Sequence, residues 1–532
     1  MRVLAEAGSF DLALWGVLLA CGALLLLAYR TRLPYPIMLV TGGAAIGFAS
    51  GATLELDPDL VLLLFLPPLL YAAAFFSSLR DLRANLRPIS LLAIGLTTVT
   101  MLGVGAVAHA LIPGLSWAAA LTLGAVLSPT DPVAASAIAA RAGAPRRFVT
   151  VVEGESLLND ATGLIFYRFA VAATVGGGFS LLEASGTLVW TAVAGVAIGV
   201  AVGVAIAAIR RRIEDPQTEI VISLLTPYFA YLPAEALGAS AVLAAVTSGI
   251  WLGWRGPQLV TPATRIQAFA FWEILVFVLN ATLFVLVGLQ LPGILDAITP
   301  GYSAAQLVGY GAAISATVIA VRFAWVFPAT YLPRWASRRL REKDPSPPWT
   351  STFLTAFTGM RGAVSLAAAL AIPVTLEDGT PFPGRDLIVF LVYVAILVTV
   401  VGQGLALGPL IQRMGIEVDA DDEDRESRGR IKAAKAALAR LDELEDEPWA
   451  REDTVRRLRG LYEFRVRRFR ARFDDADDGE IEDGSQAYQR LRREVLGAER
   501  QEIIRLRGSG EISDEVMHRI ERDLDLEDVR LS

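Results

Sequence analysis

Glu153-Gly154-Glu155-Ser156-Leu157-Leu158-Asn159-Asp160 places three carboxylates and an amide inside an apolar run from Phe148 to Val175, long enough to cross a bilayer. One ionised group at the centre of a spanning helix costs about 2.5–3.5 kcal/mol on insertion scales, so such a cluster is either a working site or neutralised by partners. At helical spacing Ser156 and Asp160 lie one turn apart on one face, with Glu155 and Asn159 as a parallel pair beside them. The first face offers a hydroxyl and a carboxylate, hard oxygen donors of the type that replaces water around a small cation. Glu153 and Glu155 read equally well as members of the site or as braces paired with arginines on other helices. Asp160, with Asn159 adjacent and Ser156 one turn away, has neutral donors and no obvious counter-charge, and reads as part of an ion site rather than as a brace.

The rest of the chain suits that reading. Hydrophobic residues make up 54% and charged residues 19% of 532, a balance that fits a polytopic membrane protein better than a soluble one. Charge is concentrated after Ile416, where Arg, Asp and Glu crowd together and acids predominate. Cys21 is the only cysteine and lies in an apolar run, so a disulfide framework is excluded and Cys21 is expected to pack. His109 and His518 are the only histidines, too few for a His-ligated metal centre or a Ser-His-Asp relay. The first apolar run, Phe10 to Tyr29, reads as a span rather than a signal segment.

About thirteen apolar stretches of spanning length can be marked, at 10–29, 33–50, 59–78, 88–112, 117–140, 148–175, 186–209, 217–235, 237–253, 268–291, 303–331, 349–372 and 386–412. Arginines cluster in every second connection (Arg30/Arg32, Arg80/Arg83/Arg87, Arg141/Arg146/Arg147, Arg210 to Arg212, Arg255/Arg265, Arg334 to Lys343), with Arg385 the exception. By the positive-inside rule the N-terminus faces outward and the tail faces the cytoplasm. Leu127-Ser128-Pro129-Thr130-Asp131-Pro132 and Phe357-Thr358-Gly359-Met360-Arg361-Gly362 interrupt the fifth and twelfth spans with residues that cannot continue a helix quietly. Two broken helices in corresponding halves of a transporter point to a midplane site, and here they sit as an inverted repeat of spans 4–6 and 11–13 would place them. Arg168, Arg322 and Arg361 lie inside spans and need partners among Glu153, Glu155, Glu219, Glu235 and Glu273; Arg322 and Arg361 are both candidates for Glu155.

The tail reads as solvated helices at Ile431–Leu444, Trp449–Phe473, Tyr488–Leu506 and beyond Ile512, interrupted by the acidic run 474–483, with Ser513 as a cap. Phe464, Arg467, Arg468 and Phe469 form an amphipathic face that suits lipid or a partner, with packing on a neighbouring helix the favoured reading. Its basic residues are interleaved with acids, which disfavours nucleic-acid binding.

Taken with Phe65-Leu66-Pro67-Pro68-Leu69-Leu70 and Arg322-Phe323-Ala324-Trp325-Val326, these motifs, in this order, resemble the monovalent cation/proton antiporter family, specifically its bacterial sodium/proton exchanger branch, over most of residues 10–412. The resemblance implies an all-α membrane domain at 1–413, with a core from spans at about 88–175 and 303–412, a dimerisation part at about 10–78 and 217–291, and a cytosolic tail at 414–532. It further implies a homodimer in the bacterial inner membrane and a substrate pair of one monovalent cation and one proton, with no cofactor. On that resemblance Asp160 carries cation and proton, and Asn159 marks the electroneutral branch. Thr130 and Ser156 supply further oxygen ligands to the cation, Asp131 is the acid of the unwound helix, and Glu155 is tied to Arg322 or Arg361. One departure is Ala72, where many members carry an acid on the third span, which leaves Na+, K+ and Li+ all open as substrates. The expected activity is electroneutral exchange of Na+ for H+ in pH and sodium homeostasis. A K+-selective antiporter and a passive cation channel through the Thr130 break are the alternatives, and an enzyme is not expected.

Overall fold

A computed structural model describes residues 16, 19–31, 33–50, 58–176, 181–298, 301–376, 379–415, 420–471 and 480–529. Part of the 10–29 stretch and most of the acidic run 474–483 lie outside the described residues. The chain divides into two compact units, Met1–Val418 and Asp419–Ser532. Among the described residues both are helical, apart from one isolated β-bridge between Thr375 and Pro381.

The first unit contains α1 (Leu19–Thr31), α2 (Tyr35–Ser50), α3 (Pro58–Phe76), α4 (Leu86–Leu111), α5 (Trp117–Leu127), α6 (Pro132–Arg141), α7 (Arg146–Gly176), α8 (Leu181–Arg210), α9 (Pro216–Ala236), α10 (Ala241–Leu259), α11 (Pro262–Leu289), α12 (Ala304–Ala336), α13 (Trp349–Phe357), α14 (Ala363–Leu370) and α15 (Arg385–Arg413). Among the described residues five segments are long and apolar enough to cross a membrane: α4, Val189–Arg210, Pro262–Ile298, α12 and α15. Large apolar side chains such as Trp190, Ile274 and Val308 face outward, as they do when the solvent is hydrocarbon and backbone polar groups are satisfied within helices. The protein is therefore a multi-pass helical membrane protein.

Small residues allow close helix approach. A Cβ added at Gly199 or Gly203 of α8 would run into α10 and one at Gly195 into its capping residue Ser240, while one at Gly249 or Gly253 would run into the α3 backbone. This is the small-xxx-small packing by which helices associate in lipid. The expected stretch at 237–253 is a helix only from Ala241, because Gly238 turns the chain with φ +67° and the Ser240 hydroxyl caps the new helix at Leu243 N. Two helices contain π turns. In α4 the segment Leu91–Leu96 has its Leu91 carbonyl taken up by Trp325 Nε1 at 2.9 Å. In α15 the segment Val398–Gln403 carries Thr399, whose hydroxyl accepts from Arg361 N at 3.0 Å. In both, a side chain or main-chain group from another element occupies the irregularity.

The interruptions between α5 and α6 and between α13 and α14 meet each other. Asp131 N donates to Met360 O at 2.8 Å, and the Arg361 side chain reaches back to Leu127 O at 2.9 Å and to Gly359 O. Asp131 Oδ1 accepts from Val133 N at 2.8 Å, an aspartate cap on α6. Gly362 is extended at φ −126°, so its glycine is required for space rather than dihedral: a Cβ would land on the Asp131 side chain. Asp344, in the connection after α12, gathers Arg334 at 2.6 Å, Arg147 at 3.0 Å and Arg87 at 3.9 Å, so one carboxylate ties α4, α7 and α12.

The second unit consists of α16 (Ala420–Leu444), α17 (Glu452–Ala471), α18 (Glu480–Gly508) and α19 (Asp514–Val529). α16 begins eleven residues earlier and α18 eight residues earlier than their apolar content indicates, since charged first turns are favourable at a helix N-terminus. Ser513 caps α19 through Val516 N at 3.3 Å. Leu496, Ile503, Met517 and Leu524 form a small core, and Arg430 lies over the Phe469 ring at 5.2 Å, so that part of the amphipathic face packs on a neighbour.

Candidate ion-binding site

α7 is continuous through the acidic stretch, and it sorts its polar side chains by face. Glu155 is 1% exposed and bonds Arg322 of α12 through both oxygens, at 2.5 and 2.8 Å. Arg322 Nε is spent on Thr355 O of α13 at 3.1 Å. Glu155 Oε1 also accepts from the Thr130 hydroxyl at 3.2 Å, and Thr130 in turn accepts from Asn159 Nδ2 at 2.8 Å. Glu155, Arg322, Thr130 and Asn159 therefore form one chain of bonds that pins α7 to the first break and to α12. Asn159 Oδ1 is left buried without a partner among the described residues.

Arg361 is not the partner of Glu155, contrary to one of the two expectations. It is buried at the helix crossing, where its guanidinium serves the orphaned carbonyls of Leu127 at the end of α5 and Gly359 in the second break. Arg168 pairs with Glu235 at 3.5 Å on the outer surface. The sequence reading missed a second buried pair, Arg210 with Glu219 at 3.6 Å, because Arg210 was assigned to a connection. A carboxylate two residues inside an apolar stretch was the available signal.

The other face of α7 is open. Asp160 is 6% exposed, yet it has no ion pair or hydrogen bond among the described residues, and the same holds for the Ser156 hydroxyl. Both face a cavity of about 590 Å³, together with Thr130 and Asp131. Ala72 of α3 and Trp272, Glu273 and Asn280 of α11 also contribute to its wall. Of the residues expected to bind the ion, four are brought to one space: Asp160, a carboxylate with free lone pairs, the Ser156 hydroxyl, Asp131 using one oxygen as a helix cap, and Thr130 with one lone pair left; Asn159, expected among them, does not line the cavity and instead spends its amide on Thr130. That is a set of hard oxygen donors suited to a desolvated monovalent cation. Glu155 stands outside it, already neutralised.

Residues 16–413 match the family described as sodium/hydrogen exchanger, transmembrane. The chain belongs to the sodium/hydrogen exchanger family. It is 37% identical over 510 residues to an uncharacterised Na+/H+ exchanger of Mycobacterium tuberculosis, covering 95% of this chain and 93% of that one. It is 38% identical over 386 residues to the sodium, potassium, lithium and rubidium/H+ antiporter of Bacillus subtilis, covering 69% of this chain and 56% of the other. Its fold is similar to that of the sodium proton antiporter MjNhaP1 of Methanocaldococcus jannaschii, with a TM-score of 0.58 at 18% identity, covering 76% of this chain and all of that one. As a sodium/hydrogen exchanger the protein is a transporter rather than an enzyme, and its substrates are a monovalent cation and a proton.

Proposed function

We propose that the exchanger moves Na+ against H+ by competition at Asp160. The observation that carries this reading is a buried carboxylate with no protein partner, opening on a cavity that also holds Ser156, Thr130 and Asp131. With no arginine to neutralise it, Asp160 is stable in the membrane only when it holds a proton or a cation. A bound cation favours the ionised form and a proton excludes the cation, so entry of one on one side accompanies release of the other. Ser156, Thr130 and Asp131 supply the remaining oxygens, and Glu155 and Arg322 brace the crossing. Asn159 is uncharged, so one positive charge crosses in each direction and the cycle is electroneutral.

Around this core we assign about thirteen spans, with the N-terminus outside and the tail in the cytoplasm of a bacterial inner membrane. A homodimer is formed through the 10–78 and 217–291 part, and the role is in sodium and pH homeostasis. The Bacillus relative's named range of sodium, potassium, lithium and rubidium, together with the apolar Ala72 in the cavity wall, favours K+ as a second substrate. In proteoliposomes loaded with a pH dye, a Na+ gradient should alkalinise the sodium-rich side's opposite compartment not at all in Asp160→Asn and readily in wild type. Full exchange by Asp160→Asn would overturn the carrier assignment, and cation flux without proton movement would make the protein a channel.

A further inference from the structure

Trp272 of α11 shares the cavity wall with Ala72 of α3, yet the polar atom of its ring is engaged behind that wall. Its Nε1 donates to Ser223 Oγ of α9 at 3.0 Å, and Ser223 is not among the wall residues. Both side chains are buried. An indole has one polar atom, a donor, and when the ring is buried that N–H needs an acceptor. The Tyr71 ring of α3 also packs on the indole, with centroids 5.4 Å apart. Two neighbouring helices therefore hold the ring that α11 presents to the cavity. If the ring only filled space, phenylalanine would serve, with no hydroxyl buried on α9 to receive it.

Ser223 belongs to a polar stripe on α9, Glu219, Ser223 and Thr226, at i, i+4 and i+7, all buried. The other two members have partners elsewhere. Glu219 pairs with Arg210 at 3.6 Å, and Thr226 returns its hydroxyl to Ile222 O at 2.6 Å within its own helix. The Arg210–Glu219 pair joins the last residue of α8 to the start of α9, one turn before Ser223. It thereby sets the level at which the Ser223 hydroxyl meets α11.

We infer that Ser223 is a positioning residue of the exchange cycle: through the Trp272 N–H it holds the indole back in the cavity wall and keeps the cavity clear for the cation. Without the hydroxyl, the N–H is a buried donor lacking an acceptor, a state costly enough to be relieved by movement of the ring. On the α9 side Glu219 is engaged with Arg210 and Thr226 with its own helix, so the ring turns toward the cavity and its oxygens. A ring turned that way narrows the cavity and competes with the cation for acceptors. The effect on transport rests on the exchange proposed above; the placement of the ring does not.

The experiment has two arms on the full chain. In proteoliposomes, Ser223→Ala should raise the KM for Na+ by roughly 3- to 10-fold, far more than it lowers kcat. In a Trp272→Phe background, which has no N–H to place, the same substitution should leave KM unchanged. An unchanged KM in the first background, a fall in kcat alone, or an equal rise in both backgrounds overturns the assignment. If Ser223→Ala does not fold, Ser223→Cys, close in volume but a weaker acceptor, carries the same expectation at smaller size. The second arm uses fluorine NMR of purified, fluorotryptophan-labelled protein. The chain has ten tryptophans, so the Trp272 signal is identified by its loss in Trp272→Phe. In Ser223→Ala that signal should gain an H2O/D2O isotope shift as the ring turns to the cavity, and an unaltered isotope shift overturns the assignment. Should wild type show no Na+-coupled proton flux, the proposed function falls, while the fluorine signal still decides whether Ser223 holds the ring.

Discussion

The two faces of α7 carry carboxylates five residues apart that have been treated in opposite ways. Glu155 is held by both terminal nitrogens of Arg322 and by the Thr130 hydroxyl, so its oxygens are already matched within the protein. Asp160 is almost as deeply buried and has been given nothing. Burial alone therefore does not mark a transport site in a membrane protein. The mark is burial without compensation, because only an uncompensated carboxylate must take up and release a charge from outside the protein.

The sharpest way to break this comparison is to neutralise each carboxylate in turn. Asp160→Asn should abolish exchange completely while leaving thermal unfolding of the purified protein unchanged or raised, since no protein partner is deprived. A large loss of thermal stability in that variant would mean that Asp160 has a structural partner. Glu155→Ala or Arg322→Ala should instead cost about 3–5 kcal/mol by leaving one charge buried and unpaired, visible as lower expression and a lower unfolding temperature. The double variant should cost less than the sum of the two, and strict additivity would show that the pair is not coupled. Gly362→Ala, which drives a methyl into Asp131, should destabilise by about 1–3 kcal/mol and should weaken cation affinity through the displaced carboxylate. Imposing a potassium-valinomycin potential should leave the exchange rate unchanged, because net movement of one charge would be worth about 2.3 kcal/mol per 100 mV. A strong voltage dependence would mean that a second titratable group moves with Asp160. Smallest of all, Arg459→Ala in the tail, a half-buried side chain paired with the exposed Asp442 and Glu445, should leave thermal unfolding within error.

The helical fold and its interruptions were legible because lipid leaves few options. Apolar stretches become helices, and Pro129, Pro132, Gly359 and Gly362 mark where a helix cannot continue. Four wall residues of the cavity carried signals of their own, since Thr130 and Asp131 lie in the first break and Ser156 and Asp160 lie one turn apart in the polar stretch of α7. Partner choice was not. Arg322 and Arg361 are both intramembrane arginines near a break, and local sequence gives no measure of which one reaches Glu155 across the bundle. The structure separates them by a physical need that pattern reading overlooks: two broken helices leave orphaned carbonyls, and Arg361 is used on those of Leu127 and Gly359. Glu273 stood in the sequence only as a possible arginine partner and Asn280 carried no signal, because their place on the cavity wall exists only once α11 lies against the core.

The bond between Glu155 and Arg322 spans 167 residues of chain. At roughly 5–20 residues per second of synthesis, α7 leaves the ribosome some ten to thirty seconds before its counter-ion exists. Through that interval α7 holds Glu155 without its counter-ion, at an insertion cost of about 2.5–3.5 kcal/mol for one charge at the centre of a span. The crossing is thus completed late, and a nascent chain that stops short of α12 is left with Glu155 unmatched in the middle of α7.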